Sequence, residues 1–242
     1  MAYTTAQIGQ LFPNIMEIKD AALREKVAAV WNEALSLGCG GSGWTFDEIR
    51  AIPFTLLAGK IDLRFVEHIN SCCKQCIAIS AVLGEVFGAR VPVHIDYLIA
   101  GSLLADVGKM LEFDKNAAGG VIKGHYGDLL RHPFSGVALC FKHGVPVEVM
   151  HIVATHSHEG DKVDRTIESW IFHHADFIDF DIAKVLGKQA AATEARDAKD
   201  AKDAKDTNDA RATKDSGEPK DFKDSKDFKD FKDSKESKEY RA

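Results

Sequence analysis

The run DLRFVEHINSCCKQCIAISAVLGEVFG at residues 62–88 sets Phe65, Ile69, Cys72, Cys76, Ile79, Leu83 and Val86 at steps of three and four. Only an α-helix turns such positions onto one face. A stripe of that length has to be buried, and the neighbouring segments offer helices to bury it. EIKDAALREKVAAVWNEALSL repeats the spacing and stops at Gly38, where GCGGSG reads as a loop. Thr45 with Glu48 forms a capping box for a short helix from about Phe46. After the break at Pro92, HIDYLIAGSLLADVGKMLEF resumes the helical period up to Phe113. A loop with Gly119, Gly120 and Gly124 comes next, then HPFSGVALCFKHG, PVEVMHIVATHSH and TIESWIFHHADFIDFDIAKVL read as three more helices. Alternating strand patterns are nearly absent, so the expected fold is all-α, a helical bundle.

The composition changes near Lys188. Residues 1–59 read as an N-terminal helical lead-in, 60–188 as the main helical domain and 189–242 as a Lys/Asp-rich tail. The tail holds 14 Lys and Arg against 15 Asp and Glu with few large apolar groups, so burial would not offset the entropy of ordering it. It is expected to be disordered, with Phe222, Phe228 and Phe231 at most weak docking points. Residues 1–188 hold 17 basic against 22 acidic residues, an unsuitable balance for gripping a nucleic-acid backbone. No uninterrupted apolar run approaches the roughly 20 residues of a membrane span, and MAYTTAQIGQLF lacks the basic and apolar regions of a signal peptide. The expectation is therefore a cytoplasmic protein with no membrane partner; nothing in the sequence specifies an oligomer. Five cysteines, three of them at Cys72, Cys73 and Cys76 on an amphipathic helix, fit reduced core thiols better than a disulfide framework or a zinc site.

Chemistry-bearing residues recur along the helices. GCGGSG lacks the Gly-Lys-Ser/Thr ending of a phosphate-binding loop, so its glycines are turn chemistry. His68, Asp106, His132, His156 and Asp176 each stand inside or at the end of successive helices. Helical bundles build metal sites in this way, with ligands converging from several helices.

The order of a histidine, an acid in LLADVGK, HPFSG, ATHSHEG and ADFID resembles the HD superfamily of metal-dependent phosphohydrolases across about residues 60–185. The resemblance implies an HD-like helical bundle. In it His68, Asp106 and Asp176 belong to one metal position, and Asp106, His132 and His156 to a second. It also implies a departure, since Ala105 stands where that superfamily has the histidine for which it is named. His173, three residues before Asp176, is the first candidate to replace that ligand, and His158, Glu159 and His173 are expected as supports around the ligands.

Imidazole-rich ligation favours manganese, iron, cobalt or zinc over magnesium alone. Such an ion lowers the pKa of a bound water from about 15.7 towards 7, which supplies a hydroxide nucleophile. Asp106 and Lys109 are the expected catalytic groups, with Lys109 one turn away to stabilise developing charge. The leading expectation is hydrolysis of a small phosphorylated molecule such as a nucleotide, although only Arg64, Arg131 and Arg165 lie near the motifs. Two alternatives stand beside it. One is metal-dependent attack on a small carbonyl compound, or an HD-type oxygenase; the other is a degenerate, non-catalytic binding or regulatory domain, as Ala105 would allow.

Overall fold

The computed structural model describes residues 3–57, 59 and 61–214. The elements in order are α1 (Thr5–Ile8), α2 (Ala21–Leu37), α3 (Phe46–Ala51), α4 (Phe65–Phe87), α5 (Ile95–Leu104), α6 (Lys109–Glu112), β1 (Phe113–Lys115), β2 (Val121–Lys123), α7 (His125–Leu129), α8 (His132–Lys142), α9 (Val147–Thr155) and α10 (Ile167–Lys214). The fold is all-α, with one two-stranded sheet among the described residues. The described residues up to Ala195 form one compact unit and those from Arg196 to Lys214 a second.

Local chemistry sets the boundaries. The Asp20 carboxylate caps α2 by accepting from the N–H groups of Ala22 and Leu23 at 2.8 and 3.2 Å. That helix stops where Gly38 passes Met110; a Cβ at this position would lie 2.3 Å from the Met110 carbonyl oxygen. Thr45 and Glu48 do form a capping box on α3. In the middle of the bundle α5 packs between α4 and α9, while α8 lies against α9 and α2. Phe12, Trp31 and Ile49 share one apolar cluster with Phe65, Ile69 and Leu103. The expected boundary at residues 59 and 60 therefore does not divide two cores, because the lead-in is built into the bundle.

Three features differ from the sequence expectation. The helix expected across residues 94–113 is broken at Ala105–Gly108. The N–H groups of Val107, Lys109 and Met110 bond three residues back, to Leu104, Asp106 and Val107, at 2.9–3.2 Å. The cause is packing: a Cβ on Gly108 would meet the His132 carbonyl oxygen at 2.2 Å, so the chain tightens there to admit α8. The glycine loop after it contains a hairpin, with Phe113, Asp114 and Lys115 paired antiparallel to Lys123, Ile122 and Val121. Lastly, the charged tail begins as helix, since α10 continues to Lys214. Alanine is the best helix former, and Arg196 and Lys199 each precede an aspartate by four residues, which supports a helix without any core. Residues 215–242, with Phe222, Phe228 and Phe231, lie outside the described residues.

By length and composition the segment Phe65–Arg90 is apolar enough to cross a membrane. Its first turns bury Phe65, His68, Ile69, Cys72, Cys73 and Cys76 inside the bundle, whereas Val82, Val86 and Phe87 near its end are exposed.

Candidate metal centre

The tightened turn aims Asp106 inward. Because Val107 bonds the Leu104 carbonyl, the Leu103 carbonyl is free, and Trp31 Nε1 donates to it at 3.1 Å. Trp44 Nε1 likewise donates to the Met110 carbonyl at 2.9 Å. Two indoles from the lead-in thus hold the backbone on both sides of Asp106.

Around that carboxylate the sequence-expected residues meet. Asp106 Oδ1 lies 3.2 Å from His132 Nε2 and 3.7 Å from His156 Nε2, and the two imidazole nitrogens are 3.2 Å apart. Asp106 Oδ2 faces the other way, 3.3 Å from His68 Nε2 and 2.8 Å from Lys109 Nζ. Asp176 Oδ1 closes on His68 Nε2 at 3.1 Å. Asp106, His68, His132 and His156 are all buried.

The outer partners fix the rings. His132 Nδ1 points at Glu112 Oε1, 3.3 Å away, and that oxygen also accepts from the His132 backbone N–H. His156 Nδ1 donates to the Val153 carbonyl at 2.8 Å. With Nδ1 engaged on an acceptor in each ring, Nε2 is the nitrogen left available to a ligand. Asp106 Oδ1 and two Nε2 atoms then converge as three acceptors, an arrangement that only a proton or a cation between them makes favourable. Ligand bonds of about 2.1 Å at tetrahedral or octahedral angles spread donor atoms to about 3.0–3.4 Å, close to the separations seen. One carboxylate with two imidazoles is a donor set suited to a transition-metal dication.

The charges are strongly coupled. Burial works against ionisation of Asp106, but the Lys109 ammonium and the imidazoles of His132, His156 and His68 hold its carboxyl well below the usual range. Burial also opposes the charge on Lys109, and Asp106 and Asp176 overcome it to raise its pKa. His132 is raised as well, because hydrogen bonds to Asp106 and Glu112 outweigh burial. His68 is raised further, against burial, by Cys72 and the carboxylates Asp106, Asp176 and Asp179.

A cavity of about 390 Å³ opens onto these groups. Asp106, Lys109, His132, His156 and Asp176 form its floor, Lys123 and Arg131 add positive charge, and Phe54, Phe113, Phe177 and Phe180 make an aromatic wall. Backbone bonds from Phe54 N–H to the Leu63 carbonyl and from Phe65 N–H to the Ile52 carbonyl, both 2.9 Å, set Phe54 against His68 with ring centroids 4.0 Å apart. His158 lines the cavity, with Nδ1 3.2 Å from Asp161 Oδ2. Glu159 holds Arg131 at 3.1 Å. His173 lies on the His156 carbonyl at 2.7 Å, which places it as a support for that residue's turn rather than beside Ala105. Arg165 binds the Thr155 and Ser157 carbonyls and Asp161, while Arg64 pairs with Asp62.

Sequence reasoning missed Glu112, Asp179 and the aromatic wall. Asp179 Oδ2 takes His68 Nδ1 at 3.2 Å, and Ser71 and Gln75 donate to Oδ1. Its only signal was its place one turn after Asp176. Ala105 is fully buried in an apolar cluster with Cys72, Leu98, Ile152, Phe172 and Ala175, so the position next to Asp106 contributes core packing and no ligand atom.

Among curated proteins, the dihydroneopterin 2',3'-cyclic phosphate phosphodiesterase of Methanocaldococcus jannaschii is 34% identical over 176 residues, covering 70% of this chain and 67% of the relative. The chain belongs to its family. No family profile matches the chain, and no solved structure matches it.

Proposed function

We propose that this protein is a divalent-metal-dependent phosphodiesterase of the HD type that opens a cyclic phosphate on a small molecule carrying a flat ring. The observation that carries the reading is the convergence of Asp106 Oδ1, His132 Nε2 and His156 Nε2 at a cavity that is also lined by basic side chains and phenylalanines. The relative's substrate, a pterin bearing a 2',3'-cyclic phosphate, has the two features that such a cavity would take. The resemblance to a phosphodiesterase favours this over the carbonyl, oxygenase and non-catalytic readings.

Asp106, His132 and His156 would hold the ion, which supplies a water deprotonated at neutral pH. The remaining work falls to this chain. Lys109 and Arg131 would bind the phosphate oxygens and stabilise the charge that builds on them in the transition state. Phe177 and Phe180 would stack the ring and orient the diester. In the balanced reaction the water oxygen bonds to phosphorus, one ester P–O bond breaks, and the released oxygen takes up a proton, leaving a monoester.

Protein stripped by a chelator and reloaded separately with manganese, iron(II), cobalt or zinc should convert dihydroneopterin 2',3'-cyclic phosphate to monoesters, followed by phosphorus NMR. Asp106→Ala and His132→Ala should each lose the tightly held ion and the activity while keeping their helical circular dichroism. Unchanged metal content in both variants would sink the assignment.

Metal retention should also depend on pH. His132 carries a raised pKa that a bound ion has to displace. Binding should therefore release protons in weakly buffered solution, and apparent affinity should fall as pH drops through that raised value.

A further inference from the structure

The half of the centre around His68 already carries a fixed cation. We propose that the Lys109 ammonium stands in for a second metal ion, so that this chain holds one divalent ion, at Asp106, His132 and His156. The inference rests on the metal-dependent reading above and goes beyond it by fixing the number of ions and the role of Lys109.

Four observations meet here. Lys109 Nζ is 2.8 Å from Asp106 Oδ2, the oxygen that His68 Nε2 approaches at 3.3 Å, and Asp176 Oδ1 lies 3.1 Å from the same nitrogen. The ammonium thus engages Asp106 Oδ2, the oxygen that a second ion held with His68 and Asp176 would need. That ammonium is seated rather than solvated, because its side chain is 15% exposed and lies over the rings of Phe54 and Phe65 at 5.9 and 5.8 Å from their centroids. The ligand position next to Asp106 belongs to Ala105, whose methyl is packed among apolar groups with no donor to offer. Cys72 does not replace it. Its sulfur sits nearer His68 Nδ1, at 3.5 Å, than Nε2, at 3.9 Å, on the side where Asp179 already engages the ring.

The consequence concerns substrate charge. A monocation in place of a dication leaves the pocket one unit less positive. That suits a cyclic phosphodiester with a single negative charge better than a monoester, which approaches two above pH of about 6. The ring-opened product would be held less tightly than in a two-ion centre.

Metal counting tests the assignment independently of turnover. Chelator-stripped protein is loaded with excess cobalt(II), desalted, and its cobalt per chain measured by mass spectrometry beside its visible absorption. The wild type should hold one ion. Asp176→Asn should still hold one, because its carboxylate belongs to the half that the ammonium fills. Lys109→Met should hold two, since the methionine side chain vacates the charge but keeps the bulk. Two ions in the wild type, loss of the ion in Asp176→Asn, or a single ion in folded Lys109→Met would each overturn the proposal. Should Lys109→Met fail to fold, the other two proteins still decide. A wild type that takes up no ion would remove the metal-dependent reading itself, an outcome distinct from finding two.

Discussion

Glu112 holds His132 through one oxygen that accepts from both the backbone N–H and Nδ1. Burial opposes its charge, yet the His132 imidazole keeps its carboxyl below the usual range. A carboxylate behind a ligating imidazole typically changes metal affinity by about 10–100-fold when replaced. Glu112→Gln should lower affinity by that factor with little change in thermal midpoint, measured by competition with a chromophoric chelator; an unchanged affinity would make Glu112 merely structural. Ala105 calls for a different expectation. It is fully buried among apolar side chains, so Ala105→His should cost about 1–3 kcal/mol of folding stability in urea titration. With Lys109 in place it should not add an ion. That His68, Asp106, His132, His156 and Asp176 would gather was legible in the sequence, because ligand-type residues recur along its successive helical segments. Glu112 and Asp179 were not, since each acts on a residue of another helix and only the packing of the helices brings the two together.

At the scale of elements, the decisive feature is the turn between α5 and α6. LLADVGKMLEF keeps its helical period right through, and nothing local reveals the break. Its cause is Gly108 against α8, a tertiary contact. Replacing Trp31 by Phe should keep an aromatic ring in the core but remove the indole N–H, leaving the buried Leu103 carbonyl without its donor. The expected cost is about 1–3 kcal/mol, read by urea unfolding, together with weaker metal retention as Asp106 loses its backbone support. A second link ties α3 to the hairpin. Lys115 Nζ lies 2.6 Å from Glu48 Oε1, and hydrogen bonds from Lys115 and Thr45 pull the Glu48 carboxyl down to about 2 from 4.5. A lowered folded-state value means that this contribution is complete above pH of about 4.5 and fades as pH falls towards 2. The urea midpoints of wild type and Glu48→Gln should therefore differ at pH of about 7 and converge as the solution is acidified through that window. A difference that stays undiminished at pH of about 2.5 would place the effect elsewhere.

Across the whole molecule, the bundle was legible because the apolar spacing commits each segment to helix and the stripes have to meet. The union of the lead-in with the rest was not, since it depends on Phe12, Trp31 and Ile49 finding Phe65 and Leu103 in space. The charged region divides the two kinds of information most clearly. Local propensity makes residues 189–214 helical, but helix by itself contributes little to the fold without buried area. Ala183 is the last buried residue of α10 among the described side chains, and residues 184–205 are intermediate or exposed. A chain stopped after Gln189 should consequently keep the thermal midpoint of the full protein, with the same cobalt content and the same turnover of a cyclic phosphate. Its circular dichroism should lose the helix that residues 190–214 contribute. The three measurements separate the possibilities, because a midpoint lowered by many degrees would mean that the removed segment stabilises the bundle. An unchanged midpoint with lost turnover would instead mean that it acts at the cavity. Either result would contradict a tail that is helical through its alanines and charge spacing alone.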